Sequence, residues 1–384
     1  MSLPRIVIVL LASGALLACG APNKDGGPED LADAHPMLSL EQLMAPASYV
    51  VPQISPDGEL VSWIGPLNGT PNLFVAKVDD LDSARPVTHF SDNGVRATDV
   101  SGQVMYRWHF DSKRIIYPKD YGGDENWDIH IVDVEKGVDR NLTPLPDKSV
   151  SIVALGREQP NLALISVETF GKFDPDIYKL DLETGEQTLV QRNEGSLAYL
   201  ADHDLNIRLS ISFSPDGGLD FHKFGEEGRG ETIYRVSAEN MPALLAAKYQ
   251  KVIRFTADNR SLILYDAQNR DKAALVSLDV ETGAIKLLAK DDRVDIGGVL
   301  FDPVDQVPQA YASNYKRTTW TALEDELVDD FEALGSLQQG DWKVLSRSDD
   351  KSIWVVQYMA ANKPIEFYLY DSNDKRGTRM FSST

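Results

Sequence analysis

The sequence predicts an all-β fold, a β-propeller of seven four-stranded blades, and three observations predict it. The first is a turn signature ahead of a short apolar strand. Ser55-Pro56-Asp57-Gly58 leads into Glu59-Leu60-Val61-Ser62-Trp63-Ile64. Looser copies start at Asp111-Ser112-Lys113-Arg114, Ala257-Asp258-Asn259-Arg260 and Asp349-Asp350-Lys351. Proline presets the first turn angle, Asp bonds back to the backbone and Gly accepts positive φ, so these residues suit a tight connection between buried strands. The second observation is an alternating strand that ends in Asp and runs into a polar turn. Copies end at Asp79, Asp133, Asp181, Asp279 and Asp371, with Lys136-Gly137, Thr184-Gly185 and Thr282-Gly283 in three of the turns. Strict alternation marks a strand with one buried face. The third is spacing: 54 residues separate Asp79 from Asp133, 48 separate Asp133 from Asp181, and 92, two units, separate Asp279 from Asp371. Periods of about 40–50 residues are what propeller blades produce.

In chain order the copies place blades near 54–90, 106–144, 153–193, 199–238, 252–292, 298–340 and 342–384. A weak copy of the second signature, Glu231-Thr232-Ile233-Tyr234-Arg235-Val236, stands for the fourth. The count is seven, and six and eight remain open here. A row of β-sandwiches is the competing reading, but units spaced regularly without linkers favour a closed ring. One stretch breaks the pattern. Thr321 to Leu337 places Leu323, Leu327, Phe331 and Leu334 at helical spacing, which predicts a short helical insertion in the sixth blade with its acidic residues solvated.

Ahead of the propeller (40–384), Arg5 is followed by an apolar run from Ile6 to Ala18, too short to span a bilayer. It ends Leu16-Leu17-Ala18-Cys19-Gly20, and Cys19 is the chain's one cysteine. This resembles a bacterial lipoprotein signal. The resemblance implies a signal peptide at 1–18, cleavage before Cys19, lipidation of Cys19 and display in the cell envelope. Gly20, rather than Asp, is compatible with the outer membrane. Residues 19–39, rich in Gly, Pro, Asp and Glu, read as a flexible tether.

Hydrophobic residues at 42% and charged residues at 25% match a soluble globular composition, and 13 Phe, 14 Tyr and 6 Trp can fill a core. A net charge of −21 argues against nucleic acid, whose binding needs a basic face. A lone cysteine excludes an internal disulfide. None of the six histidines is spaced as a zinc pair, so no metal and no cofactor is expected. His109 and His130 fall in predicted strands and read as packed or surface-satisfied residues. Asp202-His203-Asp204-Leu205-Asn206 lacks the glycine and closing Glu of a calcium loop and reads as a turn. Gly225 to Gly230 reads as a hairpin tip.

Asp120-Tyr121-Gly122-Gly123-Asp124-Glu125-Asn126-Trp127-Asp128-Ile129-His130, with Arg140-Asn141-Leu142-Thr143-Pro144, resembles the second-blade signature of bacterial prolyl oligopeptidase and acylaminoacyl-peptidase-like serine peptidases. Val299-Leu300-Phe301-Asp302-Pro303, Asn314 through Trp320, and Phe367-Tyr368-Leu369-Tyr370-Asp371 are similar to the later propeller of that family. The likeness runs from about Leu40 to the end of the chain. Family members carry an α/β-hydrolase domain with a Ser-Asp-His triad, the serine in a G-x-S-x-G elbow. These 384 residues contain no G-x-S-x-G, so no catalytic residue is assigned and no peptidase activity is expected of the chain alone.

The resemblance therefore implies the substrate-gating propeller of a serine peptidase, truncated or separate from its hydrolase domain. Its implied partners are an α/β-hydrolase domain or separate catalytic chain, peptides, and a membrane through the lipid. The alternative is a free-standing envelope propeller that binds protein or peptide partners. The face meeting the hydrolase should be partly apolar, and uncovered it should drive association. Asp124, Glu125 and Asn126 are the candidate contact to a peptide amine or to the partner domain. Against that stands a structural reading, in which the glycines make the turn and Trp127 anchors the blade.

Overall fold

The computed structural model describes residues 39–40, 48–99, 104–169, 172 and 174–383. The expected signal peptide, Cys19 and all of the tether but Ser39 lie outside the described residues. Ala47–Thr384 form one compact unit. Its strands build seven antiparallel sheets whose neighbours follow chain order, so each blade is one continuous stretch of chain. The blades occupy 50–86, 107–141, 149–191, 198–236, 254–289, 296–337 and 341–382.

Hydrogen bonds explain the signatures. In the first-to-second-strand turn, Ser55 Oγ donates to Asp57 Oδ1 at 2.6 Å and accepts from the Leu60 N–H at 2.9 Å. Thr256–Asp258 and Ser348–Asp350 repeat the pattern at 2.6 and 2.5 Å. The Asp that closes the third strand accepts two backbone N–H groups of the next turn. Asp133 takes Glu135 and Lys136, Asp181 takes Glu183 and Thr184, and Asp279 takes Glu281 and Thr282. Each carboxylate thus satisfies donors that the hairpin leaves unpaired.

Alternation of strand direction sorts the loops. First-to-second and third-to-fourth turns lie on one face of the ring, the turn face. Second-to-third loops and inter-blade linkers lie on the other, the loop face. The fourth blade shows why the weak copy misled. Glu231–Val236 falls in its fourth strand, Gly228–Val236, and the third strand is Leu219–Gly225. The Ser214-Pro215-Asp216-Gly217 turn of that blade joins its second and third strands instead. Gly225 and Gly228 do flank a hairpin tip.

Six sheets have four strands, and the sixth blade has three, Ile296–Phe301, Pro308–Asn314 and Thr318–Ala322. Three strands end on the turn face, whereas the seventh blade must begin on the loop face. The helix Val328–Leu337 makes that return in place of a fourth strand. It buries Leu334, with Leu327 just ahead of it, beside Val344, Trp354 and Tyr358. The expected helical stretch is shorter than 321–337, because Thr321 and Ala322 stay in the strand and Leu323 is exposed. Its acidic residues are not all solvated. Asp330 is buried, accepting from Tyr370 Oη at 2.8 Å and Lys375 Nζ at 2.6 Å. A second helix, Met241–Tyr249, links blades four and five. Nothing in its sequence announced it: apolar residues surround it without a clear stripe.

The core is a series of clusters between neighbouring blades. At the seam, blade one supplies Ile54, Val61, Trp63 and Ala76, and blade seven supplies Val355 and Leu369. Among the described residues no strand crosses this seam. Backbone closure there consists of Ile54 N–H to Ser346 Oγ at 2.9 Å and Asp349 N–H to the Pro56 carbonyl at 2.7 Å.

Candidate functional site

The first strand of each blade lines the ring's central channel. In blades two and five that strand is two residues long, Arg107–Trp108 and Arg254–Phe255. Around them opens a cavity of about 570 Å³, whose walls also include Phe110, Arg157, Tyr199, His203 and Asp305. The first-to-second-strand turns of blades four and six contribute His203 and Asp305, which puts the cavity mouth on the turn face.

Two bonds cross the channel. Arg157, after the first strand of blade three, makes a bidentate pair with Asp349 of blade seven at 2.6 and 3.1 Å. Its guanidinium also covers the Phe110 ring at 4.6 Å. Deeper, Lys251 of the blade-five linker donates to the Val104 carbonyl ahead of blade two at 2.6 Å. Each bond joins blades three places apart in a ring of seven, so each spans the hole. Because Arg157 and Asp349 are each about one-third exposed (31% and 32%), the ion pair contributes little to stability. Asp349→Asn is expected to cost less than about 1 kcal/mol in urea unfolding. It should nonetheless speed amide exchange in 153–158 and 346–350, because it loosens the mouth.

Cations gather inside the channel of this acidic protein. Burial, then the charge of Arg107, brings the Arg254 guanidinium down to about 10. Burial, then Arg107, brings the Lys251 ammonium down to about 8, with Asp99 opposing. Enclosure by the wall also lowers Arg107, although channel solvent reaches its side chain. Among the described residues no carboxylate lies within ion-pair distance of any of the three. Sequence reasoning singled out none of them, since two-residue strands carry no readable period.

The loop carrying Asp124, Glu125 and Asn126 joins the second and third strands of blade two. It therefore lies on the loop face, away from the cavity mouth. Asp124 Oδ1 accepts the Asn126 N–H at 3.1 Å, and Oδ2 accepts the Asn126 amide at 3.2 Å. The Asn126 bond, despite a small opposing desolvation, holds the Asp124 carboxyl below its usual range. Glu125 has φ +58° and faces Arg96 Nη1 at 3.9 Å, and Arg96 covers the Trp127 ring at 5.4 Å. Asn126 Oδ1 is buried without a partner. The structure brings the three residues together as a self-bonded turn whose carboxylates remain open to solvent.

Behind this loop the blade is densely polar. Lys119 is fully buried, bonded to Asp92 at 2.9 Å and placed between the Phe90 and Tyr121 rings at 4.6 and 4.7 Å. His130 is packed as expected, with Nδ1 on Asp139 Oδ2 at 2.9 Å and Nε2 on Tyr121 Oη at 3.0 Å. His109 lies just past its strand, buried against the Pro160 carbonyl at 2.5 Å. Asp202 turns its carboxylate onto the Asp204 and Asn206 N–H groups, so that segment is a turn. Among the described residues no three His, Cys, Asp or Glu side chains are placed to hold a metal, and no helix is long and apolar enough to cross a membrane.

The loop face carries exposed apolar side chains from several blades: Tyr121, Phe213, Tyr249, Tyr315 and Met359. Phe213 is 67% exposed and Tyr315 59%. They come from blades two, four, six and seven and from the linker between blades four and five.

No family model matches the chain. It is 30% identical over 383 residues to dipeptidyl aminopeptidase BIII of Pseudoxanthomonas mexicana, covering 99% of this chain and 54% of that protein. Among solved structures, one described in a study of two prolyl endopeptidases superposes with a TM-score of 0.57 at 9% identity, over 88% of this chain and 50% of the other. The β-propeller domain of the Trilobed protease from Pyrococcus furiosus superposes at 0.53 and 13% identity, over 88% and 96%. These structural likenesses establish the propeller fold. The chain spans about half the length of the curated relatives it matches.

Proposed function

The chain is homologous to the propeller region of prolyl oligopeptidase-type peptidases, and from that premise we propose that it is the non-catalytic, substrate-gating part of a serine peptidase. The catalytic serine is contributed by an α/β-hydrolase domain outside these 384 residues. One observation carries this reading: the exposed apolar side chains of the loop face, which such a domain would cover. The cavity mouth on the opposite face is then the entrance. A narrow channel crossed by Arg157–Asp349 and Lys251–Val104 admits short, extended peptides and holds back folded chains. The relative's name, a dipeptidyl aminopeptidase, makes short peptides the substrate class.

The test is to isolate the native polypeptide or complex containing these residues and treat it with a serine-directed fluorophosphonate. The reading expects covalent label on sequence outside residues 1–384 and none within them. A complex with no reactive component, or label on this chain, would overturn it. The first of those outcomes would leave the free-standing envelope propeller as the better account.

Lipid attachment at Cys19 belongs to the same proposal, since it keeps the gate in the envelope, where peptides arrive. In the native host, Cys19→Ser is expected to abolish incorporation of a palmitate analogue and to release the protein from the membrane fraction. Unchanged lipid labelling in that variant would remove the assignment.

A further inference from the structure

The channel cavity holds cations that the gating role does not use. Arg107 makes no hydrogen bond or ion pair among the described residues, and its side chain is open to the cavity. Arg254 is fixed in place: Nη1 donates to Gln306 at 2.8 Å, Nη2 donates to the Lys251 carbonyl at 2.5 Å, and the guanidinium lies 3.9 Å over the Phe301 ring. Its Nε is buried and meets no acceptor. Both arginines begin the first strands of their blades, which puts them deeper than the turns that form the mouth. Of the acidic residues lining the cavity, Asp202 is paired with Arg208 at 3.2 Å and Asp204 accepts from Asn259 at 2.8 Å. Glu158 and Asp305 are solvent-exposed in the turns of the mouth. The base is therefore cationic and uncompensated inside a chain of net charge −21.

We propose that this cavity is a subsite for the free α-carboxylate of a short peptide, with Arg107 as its direct partner and Arg254 as the fixed charge behind it. A guanidinium with an unoccupied fork matches a carboxylate bidentately. The walls decide between a peptide and a bare inorganic anion. Phe110, Tyr199 and Phe255 give the cavity aromatic sides that a phosphate would leave unused, and about 570 Å³ accommodates several residues. The inference rests on the reading of the chain as a peptide gate, but binding at this subsite does not require the hydrolase domain.

The test is calorimetric titration of the full chain with Ala-Ala-Ala-Leu as the free acid and as its C-terminal amide. At low salt the acid is expected to bind at least tenfold more tightly, and 0.5 M NaCl should reduce that preference. Arg107→Gln removes a side chain with no internal bonds, so thermal stability should stay unchanged while the preference disappears; Arg107→Lys should keep part of it. Equal affinity for acid and amide, or a preference surviving in Arg107→Gln, would overturn the proposal. So would inorganic phosphate binding as tightly as the acid, which would assign the site to small anions. Failure here with a fluorophosphonate-reactive partner present leaves the gating reading intact, and the reverse pattern sinks that reading alone.

Discussion

Trp63→Ala is expected to lower the unfolding free energy by about 3–5 kcal/mol, the range for truncating a buried large aromatic side chain. The reason is the seam. Blades one and seven are the first and last of the chain, and the cluster of Ile54, Val61, Trp63, Ala76, Val355 and Leu369 packs the junction where they meet. Trp63 is 5% exposed, stacked on Phe74 at 6.0 Å and tilted against Phe381 of the seventh blade at 5.4 Å. Losing the indole leaves a cavity where the ring closes. Amide-exchange protection should therefore fall first in blades one and seven, with blades three to five unaffected. Trp63→Phe provides the control. It retains most of the packing and removes an indole N–H that is buried without an acceptor, so its cost should be about 1 kcal/mol or less. A loss below about 1 kcal/mol for the alanine variant, or protection lost evenly around the ring, would show that the seam does not depend on this residue.

The seam also marks what the sequence could and could not convey. Blade count and order were legible because Asp133, Asp181 and Asp279 each perform the same local task, accepting two N–H groups of the following turn. A local task leaves a local, repeated signature. Ring closure is not local: Ile54 and Ser346 meet across almost the whole chain, and neither carries a motif. The fourth blade misled because Glu231–Val236 lies in the outermost strand, Gly228–Val236, and is followed by Ser237 rather than by an Asp that accepts the N–H groups of a turn. Asp330 was read as solvated because helical spacing assigns a face but says nothing of the Tyr370 and Lys375 that reach it from another blade.

The candidate site divides in the same way. Asp124, Glu125 and Asn126 stood out because they are contiguous, and the structure keeps them as one turn. Arg107, Lys251 and Arg254 did not, since three separate positions become one cation cluster only when blades two and five face each other across the channel.

Asp92→Asn is expected to cost about 2–3 kcal/mol at neutral pH, and its importance comes from what it would leave behind. Lys119 is fully buried, and its ammonium has one charged partner, Asp92, besides Asn93 Oδ1 at 3.0 Å and the carbonyls of Asp120 and Gly94 at 3.1 and 3.4 Å. Removing the charge strands a buried cation. The cost stays below that of a wholly buried pair because Asp92 is 42% exposed. Burial pushes the Asp92 carboxyl up, but the Lys119 ammonium bonded to it, with the Gly94 N–H, outweighs this and leaves it below its usual range. A lowered native value gives stability that is complete above the unfolded value of about 4 and fades as pH falls through the native one. The gap between wild type and Asp92→Asn should therefore close in acid, as read by urea unfolding at stepped pH. In a Lys119→Met background the aspartate has no cation to compensate, and Asp92→Asn should cost little. Equal costs in both backgrounds would mean that Asp92 acts through its loop bonds alone. If the coupling is found, the ion pair fixes the linker at Asp92 to the strand leading into Asp124–Asn126, and the same variant should increase amide exchange across 120–127.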